Sequence, residues 1–164
     1  MVTQEILRWL DDVPDPELPP VSITDLGIVR DVRIDGDTVV VALTPTYAGC
    51  PATEVIAADV ERALHDHGVD RVRIERRLSP PWTTDWITPR GRERLRAEGI
   101  APPSGAGLAT GVVVLSGPHE RPPVRCPRCG SVSTSELSHF GSTPCKALFR
   151  CDSCREPFDY VKPH

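Results

Sequence analysis

The sequence predicts an α+β chain: a small α-β-β-α-β domain over residues 1–78, a linker over 79–123, and a second compact unit over 124–164 organised by cysteines. Three observations predict it. Two β-branched runs flank an Asp-Gly turn. A helical apolar stripe follows a Cys-Pro pair and stops at a glycine. Two Cys-x2-Cys knuckles stand 21 residues apart near the C-terminus.

The elements follow in order. Thr3 is placed to cap a short helix whose apolar face is Ile6, Leu7 and Leu10. Residues 13–20 are dense in proline and acid, which forbids regular helix and fixes an extended turn. Residues 28–34 and 38–44 are the strands of a hairpin closed by Asp35-Gly36-Asp37. Residues 44–51 form a loop entering a helix, with Pro51 at the first helical position, where its missing N–H costs nothing. The helix runs to about His67, carries Val55, Ile56, Val60 and Leu64 on one stripe, and stops at Gly68. Residues 69–75 read as a third strand. Beyond Leu78 the pattern loosens into a loop with Trp82 and Trp86. A short helix over 89–98 follows, with Leu95 as its strong apolar anchor, stopped by Gly99 and Pro102-Pro103. Residues 105–111 read as flexible.

The net charge of −4 argues against a general nucleic-acid binder, which needs a positive surface to release counterions. The N-terminus lacks the basic stretch and long apolar run of a signal peptide, and no segment is apolar for the length of a bilayer. A cytoplasmic protein without a membrane partner is expected. In that compartment six cysteines read as metal ligands or reactive thiols rather than disulfides.

Cys126, Cys129, Cys151 and Cys154 are the expected metal ligands. Each knuckle places two thiolates at a tight turn, and two such turns close a tetrahedral shell. Four thiolates with no open position indicate a structural zinc ribbon; a rubredoxin-like iron uses the same ligands. Cys145, six residues before Cys151, is an alternative ligand or a packing residue, and His139 and His164 are lesser candidates.

Cys50 stands just before Pro51, so its sulfur lies at a helix N-terminus, where free N–H groups and the helix dipole favour a thiolate. Thr44, Thr46 and Thr53 offer hydroxyls. The two readings, a buried small residue and a ligand or nucleophile, stand level on the residues alone. His65 and His67 lie at the far end of the same helix and with His119 read as surface residues, leaving Cys50 without a general base. Asp15, Glu17 and Asp25 either line the Cys50 site or cap turns, the default for such residues.

Asp15-Pro-Glu-Leu-Pro, Asp25-Leu-Gly-Ile-Val and Thr44-Pro-Thr-Tyr-Ala-Gly-Cys-Pro resemble the hallmark segments of the small iron–sulfur assembly domain shared by SufT-like proteins and the eukaryotic cytosolic iron–sulfur targeting factor. The segments 81–87 and 145–160, with the ribbon, narrow the resemblance to the PaaD family, the accessory component of bacterial phenylacetyl-CoA 1,2-epoxidase in phenylacetate degradation. The resemblance implies an accessory factor, not an enzyme, beside a di-iron oxygenase and an iron–sulfur flavoprotein reductase. It implies help in maturing or inserting an iron–sulfur cluster. It maps the family's reactive cysteine onto Cys50 and its loop aspartate onto Asp25, as the residues that hold or pass a transient iron or cluster. Many members carry a further cysteine after the Phe-Asp-Tyr segment; this chain has Val161-Lys-Pro-His164 there, so either that cysteine is dispensable or His164 substitutes for it as a ligand.

Three functions compete. An assembly factor needs Cys50 and docks its client, the reductase or oxygenase component, through the ribbon and the Trp82/Trp86 loop. A stoichiometric structural subunit of the epoxidase is indifferent to Cys50. A nucleic-acid-binding ribbon would use Arg125, Arg128, Lys146, Arg150, Arg155 and Lys162, interleaved with Phe149 and Phe158, and is the weakest of the three. A cluster shared between two Cys50 residues would require a homodimer. No phosphate-binding loop or nucleophile–base pair points to a stand-alone enzyme.

Overall fold

The computed structural model describes residues 2–47, 49–104 and 123–163. The chain divides into two compact units, Met1–Arg94 and Leu95–His164. The expected flexibility of 105–111 and the readings of His119 and His164 lie outside the described residues.

The first unit carries α1 (Thr3–Leu10), β1 (Val29–Asp35), β2 (Thr38–Leu43), α2 (Ala52–Asp66) and β3 (Val72–Arg76), in the order the sequence predicts. Thr3 is the first helical residue rather than the cap. Val2 takes the cap position, and the Glu5 carboxylate reaches back to accept its N–H at 3.0 Å. Ile6 and Leu10 are buried, whereas Leu7 is 39% exposed.

The hairpin closes on Gly36-Asp37, with Gly36 at φ +62, the left-handed conformation that a glycine supplies at no steric cost. After β2 the chain crosses through α2 and returns as β3, parallel to β2. The end of α2 explains why β3 starts at Val72 and not at residue 69. Gly68 (φ +80) donates to the His65 carbonyl and Val69 to the Leu64 carbonyl, so Val69 is spent closing the helix. On α2, Ala52, Ile56, Val60 and Leu64 are buried, and Val55 points to solvent.

The strand register separates two faces of the β1-β2-β3 sheet. Val32, Ile34, Val39, Val41, Leu43 and Ile74 share the apolar face that takes the helices. Val40 and Ala42 lie on the other face with Asp31, Arg33, Arg73 and Glu75, yet both are fully buried. Charged side chains cover them. Arg33 crosses β2 to Glu75, and Arg77 crosses to Asp31 at 3.3 Å. Their aliphatic stems exclude water from the central strand while the charges stay wet.

The second unit is an antiparallel sheet of β4 (Thr134–Ser138), β5 (Lys146–Cys151) and β6 (Pro157–Val161). Its core joins Val124, Cys126, Phe149, Cys151, Phe158 and Tyr160. Ala101 lies along β6: its N–H donates to the Asp159 carbonyl at 2.8 Å, and the Val161 N–H donates to its carbonyl at 3.0 Å. That segment follows α3 (Pro89–Ala97), which Gly99 ends at φ +76.

Candidate metal and thiol sites

The two knuckles are built alike. The Gly130 N–H returns to the Cys126 carbonyl at 3.0 Å, and the Arg155 N–H to the Cys151 carbonyl at 2.9 Å. Both returning residues are left-handed, Gly130 at φ +74 and Arg155 at φ +67. Only the first knuckle supplies the glycine that this conformation favours.

This geometry brings the sulfurs of Cys126, Cys129, Cys151 and Cys154 within 4.8 Å of one another. Cys126 and Cys154 are 3.8 Å apart, and Cys129 and Cys151 3.5 Å. A tetrahedral ion with metal–sulfur bonds of about 2.3 Å requires sulfur–sulfur edges of about 3.8 Å, so the set fits one tetrahedral metal. The electrostatics agree. The Cys154 N–H, with that of Ser153, pulls the Cys151 thiol down to about 6. At Cys154 the Glu156 N–H pulls down as well, but burial and the three neighbouring sulfurs push the thiol up to about 12. Four sulfurs this close cannot all ionise without a cation among them.

Cys145 is buried with its sulfur 3.1 Å from the Thr143 hydroxyl and is not one of the four clustered sulfurs. His139 also stands outside the cluster and pairs with Glu136 at 3.3 Å.

Cys50 is half-buried at the entrance to α2. Its carbonyl accepts both the N–H and the hydroxyl of Thr53, at 3.2 and 2.9 Å. The sulfur receives the Ala52 N–H and the Thr46 hydroxyl, the donors expected at a helix N-terminus. They do not prevail. Burial, and after it the Glu17 and Asp15 carboxylates, push the thiol above its ordinary value. The helix N-terminus therefore does not hold a thiolate unaided, as the sequence alone suggested. An incoming cation would cancel both carboxylate charges and release the proton.

The three acidic residues part company. Asp15 is 5% exposed; its Oδ1 accepts the N–H groups of Glu17 and Leu18 at 2.9 and 2.8 Å, while its charge reaches Cys50. Asp15 thus caps the turn and faces the thiol at once. Asp25 is 1% exposed and fully engaged. It accepts from the Thr88 hydroxyl at 2.6 Å, from Arg90 Nε at 2.9 Å and from Arg94 Nη1 at 3.2 Å. Arg90 also binds Asp11, and this contact first of all holds the Asp11 carboxyl below its ordinary value.

Asp25 anchors the chain that follows β3. The Thr88 N–H donates to its carbonyl at 2.8 Å, and a Cβ on Gly91 would lie 3.0 Å from that oxygen. Trp82 is buried and donates its indole N–H to the Leu26 carbonyl at 2.8 Å. It is a core residue, not a docking anchor. Trp86 lies against Gly27 (φ +71), and the Arg30 guanidinium stands 3.5 Å over its ring. Sequence reasoning missed Thr88, Arg90 and Arg94, which no local motif marks. Glu17 and Asp15 were legible as an acidic pair in a proline turn.

In the ribbon, Phe149 and Phe158 are core residues, and Lys146 is buried against Asp159 at 3.2 Å. The interleaved basic and aromatic residues therefore do not form one exposed stripe. His65 and His67 each bond a backbone carbonyl, and His67 stacks on Trp9 at 4.5 Å. No helix among the described residues is long and apolar enough to cross a membrane.

Both units match described protein families. Residues 3–75 match the family described as iron-sulfur cluster assembly protein, and residues 113–162 the PaaD zinc beta ribbon domain. The chain is 52% identical over 158 residues to a protein of Escherichia coli (strain K12) named as a putative component of 1,2-phenylacetyl-CoA epoxidase, covering 96% of this chain and 91% of that protein. It is 38% identical over 84 residues to the Fe-S protein maturation auxiliary factor YitW of Bacillus subtilis (strain 168), covering 50% of this chain and 81% of that one. A crystal structure of a domain of unknown function, DUF59, from Bacillus anthracis superposes with a TM-score of 0.53 at 30% identity, covering 56% of this chain and 89% of that one.

Proposed function

The chain belongs to the PaaD family, and from that premise we propose that it is an accessory protein of phenylacetyl-CoA epoxidase that assists maturation or insertion of an iron–sulfur cluster in the complex. The relatives of the first unit are named as maturation factors, and the relative of the whole chain as an epoxidase component, which supports this division of labour.

The observation that carries the reading is the Cys50 site. Burial and the Glu17 and Asp15 carboxylates raise this half-buried thiol above its ordinary value, while the Ala52 N–H and the Thr46 hydroxyl on its sulfur pull the other way. Such a thiol is quiet alone and becomes a thiolate when a cation arrives, so iron can be taken up and given away. Cys50 is the transfer ligand. Asp25, engaged with Thr88, Arg90 and Arg94, serves the same site by holding the loop before β1 in place. The ribbon is structural. Cys126, Cys129, Cys151 and Cys154 hold zinc, which supplies folding free energy to a unit with a small apolar core.

The test is the iron and acid-labile sulfide content of the epoxidase reductase component, produced with and without this chain. Loss of cluster in its absence is expected. Full occupancy in its absence, with the chain nevertheless co-purifying with the oxygenase, would mean a stoichiometric structural subunit instead.

A further inference from the structure

The outer edge of β1 is complementary in charge to itself. Among the described residues no strand pairs with that edge, because the sheet order is β1-β2-β3 and β1 bonds only to β2. The hairpin fixes which groups point outward. Asp35 and Thr38 close the two-residue loop as a hydrogen-bonded pair, so Arg33 also bonds to β2. By alternation Val32 and Ile34 turn their N–H and C=O groups away from β2, toward the edge that no described strand covers, where Val32 is 7% and Ile34 43% exposed.

We propose that this edge pairs, antiparallel, with the β1 edge of a second copy of the chain, about a two-fold axis at Val32. In that register Val32 exchanges two main-chain hydrogen bonds with its symmetry mate. Asp31 then faces Arg33 of the second copy, and Arg33 faces Asp31, as non-hydrogen-bonded pairs, where side chains approach most closely. A two-fold axis needs this kind of self-complementary patch.

The apolar surface beside the edge agrees. Ile34 is 43% exposed although it lies on the helix-covered face of the sheet. Leu7 of α1 is 39% exposed. Trp9 turns toward α2 by stacking on His67, so Leu7, two positions away on the helix, projects from the opposite flank. Both residues belong to the β1 side of the unit, since α1 packs on β1. In that register Ile34 would lie against the aliphatic stem of Arg30 of the second copy. The irregularity at Arg30, where the register shifts between Val29 and Asp31, limits the pairing to the central residues. A single short strand pair buries little area, so a weak, concentration-dependent dimer is expected.

The arrangement bears on the thiol site. The loop to Cys50 leaves the sheet beside Val29, which pairs with Leu43. About the axis at Val32 the two Val29 ends lie roughly 20 Å apart, from about 3.3 Å per residue. In such a dimer the two Cys50 sulfurs are expected not to share a cluster. Each protomer works with its own Asp15 and Glu17 or with ligands from the client.

Sedimentation velocity of the full chain, over a wide concentration range, tests this. The wild type is expected to shift from monomer to dimer. Ile34→Lys, which sets a second positive charge against Arg30 of the other copy, and Arg33→Asp should remain monomeric, and the swap Asp31→Arg/Arg33→Asp should restore the dimer, since it restores the facing charges. A wild type that stays monomeric at the highest concentration overturns the proposal. So does a dimer that both single variants leave intact, which would place the interface elsewhere. Ile34→Lys decides the matter if Arg33→Asp, which also loses Glu75, fails to fold.

Discussion

Arg155 is the one described non-glycine residue with a left-handed backbone, and its counterpart in the first knuckle is Gly130. A left-handed L-residue costs about 1–2 kcal/mol, partly offset by the entropy a glycine would lose. Arg155→Gly should therefore stabilise the metal-loaded ribbon by roughly 1 kcal/mol, read as a higher midpoint in thermal or urea unfolding; a lower midpoint would show that the guanidinium makes a contact worth more than the strain. Asp25 points the other way. Asp25→Asn leaves Arg90 and Arg94 facing a buried neutral amide, and breaking a buried pair costs about 3–5 kcal/mol, less here because both arginines are half-exposed. A melting temperature within a degree of wild type would refute the anchoring role. Asp11 adds a pH dependence. Its folded pKa is depressed, chiefly by Arg90, so its contribution is full above the ordinary carboxylate value of 3.8 and is lost as pH falls through the folded value. Urea unfolding between the two values should show a shallower acid decline for Asp11→Asn than for wild type. Little of this was legible in the sequence. Cys50 announced a helix N-terminus through Pro51, but burial and, after it, the approach of Glu17, some thirty residues earlier, raise its thiol above the ordinary value.

At the scale of elements, the strands and helices of the first unit follow from local signals. The Asp-Gly turn, the β-branched runs and the glycine stop at Gly68 each determine a boundary by backbone chemistry. Departures arise where a neighbour in space decides. Glu5 rather than Thr3 caps α1, and Leu7 stays exposed on the flank away from α2. The chain after β3 gave no periodic signal because its partners lie about sixty residues earlier, at Asp25, Leu26, Gly27 and Arg30. Gly27 tests that docking. A Cβ there would stand 2.6 Å from Trp86 Cβ and 2.7 Å from its carbonyl oxygen, on a backbone at φ +71. Gly27→Ala should cost roughly 2–3 kcal/mol, combining overpacking with the left-handed penalty. An unchanged denaturant midpoint would mean that the Trp86 segment moves aside freely.

For the whole molecule, the two units have different sources of stability. The first buries a sheet between helices and a layer of crossed charged side chains. The second has a small core around four cysteines that could hold one metal ion, whose binding is expected to drive its folding. Chelation with a strong zinc ligand should abolish the ribbon's protected amides in hydrogen exchange while β1, β2 and α2 keep theirs. Loss of protection throughout the chain would mean that the units fold as one. This partition was legible at once, because a Cys-x2-Cys pair states its own ligand count. The role proposed for Cys50 rests on a resemblance, and the approach of the Glu17 and Asp15 carboxylates that raise its thiol is visible only in three dimensions.

The most direct measurement compares Cys50→Ser with wild type as the accessory protein, reading iron and acid-labile sulfide in the reductase component while the variant's own zinc content and melting temperature are monitored. Cys50→Ser is expected to keep its zinc and its fold and to leave the reductase as poor in cluster as when the chain is absent. A reductase fully loaded in the presence of a folded Cys50→Ser chain would contradict this expectation.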